Sequence, residues 1–223
     1  MLNIPTGIPI DTPFETMFGI FLSSLETDKR PYNQETLDHF RHVARKIYIY
    51  GKASNIHPLI LWSLAVQESG MGLNDKNIFQ VKKNALEDIE MVLDHTYEPP
   101  YKLDDYIMMG IDYLKVLTYR AAVYKAKKYL EGESLTKADI LFTERQILEQ
   151  LKSGIFIDKI DEALIFGGWN EGIGAVGGAL MKSNSFDEFI DKLKQLRLSD
   201  LSAFDYANVV SRRIYEASKH HKA

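Results

Sequence analysis

Apolar residues recur along most of the chain at intervals of three and four residues, the spacing that places them on one face of an α-helix. No run alternates apolar and polar residues as half-buried strands do, and there is no internal repeat or low-complexity linker. The pattern therefore predicts a single all-α domain. The predicted helices span residues 13–26, 34–50, 58–69, 85–94, 104–130, 136–152, a segment that begins at 157 or 158, 185–196 and 202–219.

The predicted helix at 58–69 is almost wholly apolar and ends in a carboxylate. Pro58 suits the first helical position, and Gly70 suits the position just after a helix end. Glu68 is the last member of a core-facing stripe with the spacing i, i+3, i+4 and i+7. The other members of that stripe are Leu61, Leu64 and Ala65.

Two physical effects act on the Glu68 carboxylate in this position. Partial burial and the negative end of the helix dipole both disfavour the ionised form, so we predict a raised pKa for Glu68. A glutamate that stays protonated near neutral pH can serve as a general acid. The structural alternative is that Glu68 only caps a helix end or pairs with Lys82 or Lys83. Periodicity alone favours this alternative.

Composition narrows the classes of function. Charged residues make up 26% of the chain and the net charge is −4, so a broadly basic nucleic-acid surface is not expected, and a binder built on the lysines at 125–128 is a weaker hypothesis. The absence of cysteine excludes disulfides, thiolate catalysis and cysteine-ligated zinc. The six histidines form no HExxH pair, and we predict neither a metal site nor a cofactor.

The first residues lack the features of a secretory signal. Residues 1–13 have no basic region followed by an apolar one, and the apolar run at 17–25 is too short to span a bilayer. We therefore expect synthesis in the cytoplasm without a signal peptide, and no stable membrane insertion. The sequence carries no signal for the oligomeric state.

Gly172, Gly174 and Gly177 spell GxGxxG, but the flanking periodicity is helical and no βαβ pattern surrounds them. We therefore reject a dinucleotide-binding interpretation. Glycines also let two backbones pack closely, which would present Trp169 and Asn170 at the wall of a cleft.

Several short elements, in order, resemble those of the lysozyme-like soluble lytic transglycosylases. The segment HPLILWSLAVQESG at 57–70 resembles the helix that ends in the catalytic Glu-Ser pair of that family, here Glu68 and Ser69. The segment NIFQV at 77–81 resembles the Gly-Leu-Met/Phe-Gln-Ile/Val element, and GIDYL at 110–114 resembles the Gly-x-x-Tyr-Leu signature.

Two further elements follow in the expected order. ALIFGGWNEGIGAV at 163–176 resembles the Ala-Tyr-Asn-Ala-Gly segment, and Tyr206 with the following residues resembles the closing Tyr-Val element. The resemblance implies a lysozyme-like catalytic domain at residues 55–223. Residues 1–54 would then form an N-terminal arm and helices that pack on its core.

The resemblance also implies a reaction on the glycan strands of peptidoglycan. Glu68 would protonate the oxygen of the β-1,4 linkage between N-acetylmuramic acid and N-acetylglucosamine. As a carboxylate it would then take the proton of the 6-hydroxyl while a 1,6-anhydro ring closes with help from the N-acetyl group. The side chains expected to bind the substrate are Ser69, Phe79, Gln80, Trp169, Asn170 and Tyr206. For each aromatic ring the structural alternative is core packing.

The chain departs from the family pattern at several positions. The loop between Glu68 and Gln80 is short, Asn77 replaces a glycine, Trp169 replaces a tyrosine and Glu171 replaces a small residue. The short loop is also similar to that of glucosaminidase-type lysozyme-like enzymes. A hydrolase is therefore the alternative activity, with a second carboxylate that holds a water. The candidates for it are Asp75 and Glu171.

A cell-wall substrate together with the missing signal peptide favours a bacteriophage protein, either an endolysin released at lysis or an enzyme carried in the virion. A bacterial protein delivered by a secretion system would have the same features. A function of another class is a non-catalytic module that binds cell-wall glycan or a structural component of a virion or secretion machine. Glu68 argues against this class, because a binder needs no acid at the end of an apolar helix.

Overall fold

α-Helices form nearly all of the regular structure in the computed structural model, which describes residues 2–3, 7–25, 32–129, 155–156, 159–197 and 200–220. The only strands in these ranges are Leu2–Asn3 (β1) and Ile155–Phe156 (β2), which pair in one two-stranded sheet. The predicted all-α class is therefore confirmed.

The helix boundaries follow the predicted ones closely. The predicted helix at 136–152 lies outside the described residues. The helices are Phe14–Leu25 (α1), Gln34–Ala53 (α2), Pro58–Ser69 (α3), Lys83–Leu93 (α4), Leu103–Tyr129 (α5), Lys159–Glu171 (α6), Ile173–Met181 (α7), Phe186–Gln195 (α8) and Ala203–His220 (α9).

Polar side chains mark three of the helix starts, as the sequence predicts. The Asn33 side chain accepts a hydrogen bond from Thr36 N at 2.8 Å, at the start of α2. Ser185 Oγ accepts from Glu188 N at 3.2 Å before α8, and Ser202 Oγ accepts from Asp205 N at 3.1 Å before α9. Each bond satisfies a backbone donor that has no partner inside the helix.

The chain divides into two compact units. The N-terminal unit contains Asn3–Tyr113 with Val210–Ala223, and the C-terminal unit contains Leu114–Val209 with Met1–Leu2. The division predicted at residues 54 and 55 follows the family resemblance and stays a prediction.

The core of the N-terminal unit is built around Trp62, which is fully buried. The indole Nε1 of Trp62 donates to Ala44 O on α2 at 3.0 Å. Three phenylalanine rings of α1 surround the indole, with centroid distances of 5.2 to 6.2 Å, and these are Phe14, Phe18 and Phe21. Helix α3 is thereby held between α1 and α2.

Helix α3 begins and ends at the predicted residues. Every residue from Pro58 to Ala65 is buried, so the core surrounds this part of the helix and contacts more than the predicted stripe. At the N-terminal end, His57 is buried and its Nδ1 accepts from Leu59 N at 3.3 Å, while Nε2 donates to Ile8 O at 2.9 Å. Burial lowers the pKa of His57, which keeps the ring neutral.

Close backbone packing in the C-terminal unit uses two of its glycines. A Cβ at Gly167 would lie 3.3 Å from Ala203 O, and a Cβ at Gly177 would lie 2.3 Å from the Tyr124 ring. Helices α6 and α7 are separate because Gly172 between them has a φ of +86°. The glycine-rich segment therefore belongs to packed helices, and its break at Gly172 is not part of the sequence prediction.

Candidate functional site

Glu68 lies in the last turn of α3, where the helix leaves the core. The residues from Pro58 to Ala65 are buried, whereas Val66, Gln67 and Glu68 are half-buried. The helix then ends at Gly70, whose left-handed conformation (φ +59°) suits a residue without Cβ. Glu68 thus lies where the buried part of the helix gives way to its half-buried last turn.

The loop that follows α3 has unusual backbone geometry. Met71 and Gln80 have φ values of +61° and +48°, and Gly72 has a φ of +86°. The left-handed region costs a non-glycine residue about 1–2 kcal/mol, and such conformations persist only where surrounding contacts hold them. Met71 is fully buried, so packing supplies part of that restraint.

Ser69 fastens this loop to the end of the helix. Its hydroxyl is fully buried and lies 2.8 Å from Ile78 O and 3.2 Å from Ala65 O. It also accepts a hydrogen bond from Gly72 N at 2.8 Å. All the partners of Ser69 Oγ are backbone groups, which gives the hydroxyl a role in positioning the loop and not in direct contact with a ligand.

Two more side chains hold the same loop. The side-chain amide of Gln80 donates to Glu68 O, which joins the far end of the loop to the residue before Ser69. His39 Nε2 lies 3.0 Å from Met71 O and ties the start of the loop to α2. The structure therefore brings Glu68, Ser69 and Gln80 together, as the sequence predicts, and adds His39.

Asp75 and Asn77 shape the tip of the loop. Asp75 is exposed, and its Oδ1 accepts from Asn77 N at 2.9 Å. Asn77 Nδ2 donates to Val81 O at 3.0 Å and Asn77 Oδ1 accepts from Val81 N at 3.2 Å. Asn77, where the family pattern has glycine, thus pairs with the Val81 backbone through both ends of its side-chain amide.

The Phe79 ring is 0% exposed and lies in the core of the N-terminal unit. It covers Gly110 of α5, where an added Cβ would come within 2.3 Å of a ring carbon. Core packing, the structural alternative for this residue, is therefore what its surroundings support. The contact also joins the segments at 77–81 and 110–114, two of the elements that carry the family resemblance.

The other predicted site residues belong to the C-terminal unit. Trp169 and Asn170 are half-buried at the end of α6, and Asn170 Nδ2 donates to Glu171 Oε1 at 2.9 Å and to Leu201 O at 3.1 Å. Glu171 is 5% exposed, and Tyr206 is buried in the first turn of α9. Within this unit, Asn170 and Glu171 are therefore linked to each other and to the turn that leads into α9.

Within the ranges that the structure describes, no group of three or more His, Asp or Glu side chains is placed to hold a metal ion. None of the described helices combines the length and apolar character required to cross a membrane. Lys83, a candidate partner of Glu68, has its Nζ 3.7 Å from Glu87 Oε1.

No protein-family model matches this chain, and no curated protein or solved structure is detectably similar to it. The family resemblance therefore rests on the short ordered elements in the sequence.

Proposed function

We propose that this chain is a lysozyme-like lytic transglycosylase that cleaves the glycan strands of peptidoglycan, with Glu68 as general acid and then base. The observation that carries the proposal is the place of Glu68, a half-buried carboxylate at the end of a helix whose first eight residues are all buried. A general acid needs a carboxyl in partly apolar surroundings that still reaches its substrate, and a half-buried residue at the end of a buried helix is suited to both requirements.

The loop after α3 supports the proposal because it restrains the backbone around Glu68. Ser69 bonds to the loop at Ile78 O and Gly72 N, and Gln80 bonds to Glu68 O. Misplacing a catalytic group by about 1 Å can lower a rate by about 100-fold. A loop that restrains the backbone around Glu68 is what such a catalytic role would need.

The proposed reaction uses one carboxyl group in two protonation states. Protonated Glu68 gives its proton to the glycosidic oxygen as the bond from that oxygen to C1 of N-acetylmuramic acid breaks. The 6-hydroxyl oxygen of the same sugar then bonds to C1, and the Glu68 carboxylate takes the hydroxyl proton. Glu68 ends in the state in which it began, and no water is consumed.

Hydrolysis is the nearest alternative, and it requires a group that holds a water. Asp75 is exposed with one oxygen occupied by Asn77 N, and Glu171 is 5% exposed with Asn170 as a partner. The transglycosylase reaction needs neither carboxylate, which is why we favour it. A non-catalytic module that binds cell-wall glycan would have no need of the restrained loop beside Glu68.

The proposed substrate also implies that the protein acts at the cell wall. An enzyme with this substrate reaches the cell wall after release at lysis, as a phage endolysin does, or as part of a virion. Delivery by a bacterial secretion system would serve the same chemistry.

The proposal is tested by digesting purified sacculi and identifying the released muropeptides by mass spectrometry. The wild type should release products with 1,6-anhydro ends, and Glu68→Gln should lower the rate by about 100-fold or more, the typical contribution of a general acid. Glu90→Gln is the matched control, because Glu90 is exposed on α4 and the rate should not change.

Three outcomes would contradict parts of this proposal. Full activity in Glu68→Gln would remove Glu68 from the chemistry. Products with reducing ends would assign the chain to the hydrolases. Wild-type protein that binds sacculi and releases nothing would favour the binding module.

A further inference from the structure

The segment between α4 and α5 carries an ordered polar cluster that no pattern in the sequence predicts. His95 Nδ1 lies 2.7 Å from Asp112 Oδ2, and the Tyr97 hydroxyl donates to the same oxygen at 2.8 Å. Asp112 is 3% exposed, whereas the His95 side chain is 47% exposed. A buried carboxylate thus fixes the orientation of a ring that lies at the surface.

The hydrogen bonds also set which His95 nitrogen carries a proton. An ionised carboxylate only accepts hydrogen bonds, so Nδ1 must be the protonated nitrogen. In the neutral ring, Nε2 is then an acceptor, and among the described residues it has no hydrogen-bond partner. Burial, followed by the hydrogen bond to Asp112, raises the pKa of Tyr97, so its hydroxyl remains a donor to Asp112.

One aromatic ring packs against His95, and further tyrosines continue from it. The His95 and Tyr97 rings have centroids 4.4 Å apart, and the Tyr101 hydroxyl donates to Tyr97 O at 3.3 Å. Tyr101 in turn meets Tyr106 edge to face at 5.8 Å. The contacts hold half-buried rings in fixed places, so a ligand that packs on them meets a surface that is already ordered.

The charges beside these rings point to a neutral ligand. The exposed charged residues of the segment are Asp94, Glu98 and Lys102, which give it a net negative charge. This charge disfavours a strongly anionic polymer such as a nucleic acid, whereas a sugar ring offers flat C–H faces for the aromatic rings and hydroxyl donors for His95 Nε2.

We infer that His95, Tyr97 and Tyr101 form a glycan-binding surface, distinct from the residues around Glu68, in which His95 Nε2 accepts a hydrogen bond from a sugar hydroxyl. The identity of the glycan as the hexosamine strand of peptidoglycan rests on the proposed function. A surface of this kind would hold the strand while Glu68 acts on one of its linkages.

The test is an NMR titration of the Glu68→Gln protein with a hexasaccharide of N-acetylglucosamine, which the variant should not cleave. The His95 ring nitrogens should show the tautomer protonated at Nδ1, and the Nε2 signal should shift as the sugar binds. In the double variant with His95→Ala, the amide signals of Tyr97 and Tyr101 should report an affinity about tenfold weaker, the size expected for one lost hydrogen bond with its ring contact.

His42→Ala in the same background is the matched control, because His42 is an exposed histidine on α2, and the affinity should not change. Equal affinities with and without His95 would overturn the inference, and so would an equal loss in the His42 variant. Preferential binding of a proline-rich peptide, lost in the His95 variant, would assign the surface to a different class of partner.

The two proposals fail in different ways. If Glu68→Gln still cleaves sacculi while His95→Ala weakens sugar binding, the catalytic role fails and the glycan-binding surface stands. If Glu68→Gln is inactive and His95→Ala binds the hexasaccharide as tightly as its parent, the inference about the surface fails and the catalytic role stands.

Discussion

The two ends of helix α3 are held in opposite ways. At the N-terminal end, His57 is buried, both of its ring nitrogens have backbone partners and its pKa is lowered by burial. At the C-terminal end, Glu68 is half-buried and the following loop turns back through left-handed residues that Ser69 and Gln80 fasten.

The difference shows what each end can do. A titratable group whose hydrogen-bonding atoms all point into the protein contributes to stability and has nothing to offer a ligand. A carboxylate that is half-buried, beside a restrained loop, can meet a ligand while its backbone stays fixed. The same helix therefore combines a closed end and an open one.

Among substitutions at the two ends of α3, Ser69→Ala should change the free energy of unfolding most. It removes the hydroxyl that joins the loop to the C-terminal end of the helix. Ile78 O and Gly72 N lose a buried partner, so the free energy of unfolding should fall by about 2–3 kcal/mol, as for other buried polar groups left unsatisfied. Urea denaturation measures this change.

Ser23→Ala is the control for Ser69→Ala. Ser23 Oγ also bonds to a carbonyl four residues earlier, Gly19 O at 3.0 Å, but it does so at the surface. Its removal should change the free energy of unfolding by no more than about 0.5 kcal/mol. An equal cost for both serines would mean that the loop does not depend on Ser69.

The next largest effect should be a pH dependence of stability that arises from His57 at the N-terminal end of α3. His57 has a lower pKa in the folded protein than the ordinary value of 6.5, so below that pH the unfolded chain binds a proton that the folded protein does not. The contribution of neutral His57 to stability is therefore present above pH 6.5 and is lost as the pH falls below it, by at most about 1.4 kcal/mol per pH unit.

His57→Asn keeps an acceptor for Leu59 N and does not titrate. Its cost at pH 7.5 should be about 1–2 kcal/mol, and the difference from the wild type should shrink toward pH 5.5. Urea denaturation at several pH values gives both quantities, with the exposed His42→Asn as the control. Parallel stability curves for wild type and His57→Asn would refute the assignment.

The smallest effect, and one of opposite sign, should come from Ser63→Ala in the middle of α3. The Ser63 hydroxyl is buried and has no hydrogen-bond partner among the described residues. Alanine removes that unsatisfied group and favours the helix, so the protein should gain up to about 1 kcal/mol. Thermal denaturation of Ser63→Ala and Ser69→Ala, measured side by side, compares the same substitution at two sites on one helix. A loss of stability in Ser63→Ala would contradict this prediction.

The sequence predicts the course of α3 well because its boundary signals are local. Pro58 and Gly70 bracket the helix, and their roles follow from backbone geometry alone. The cap at His57 is not predicted, since histidine is an uncommon cap and its second partner, Ile8 O, is distant in sequence.

The network around Glu68 is less accessible to sequence reasoning. The residue types at Ser69 and Gln80 are predicted as polar groups near the carboxylate, but their partners depend on the left-handed turns at Met71 and Gln80. The sequence also cannot separate a core ring from a surface ring, which is why Phe79 is expected at a sugar and lies on Gly110. The His95 and Asp112 pair joins residues seventeen positions apart and shows no periodic signal.

The two tryptophans differ in burial, so their fluorescence can be told apart. The chain has two tryptophans, and each compact unit contains one of them. Trp62 lies fully within the core of the N-terminal unit, so its fluorescence should be blue-shifted and insensitive to aqueous quenchers, whereas half-buried Trp169 should be quenched more readily. A Trp62→Phe variant would leave tryptophan emission from the C-terminal unit alone, so the unfolding of that unit could be followed separately.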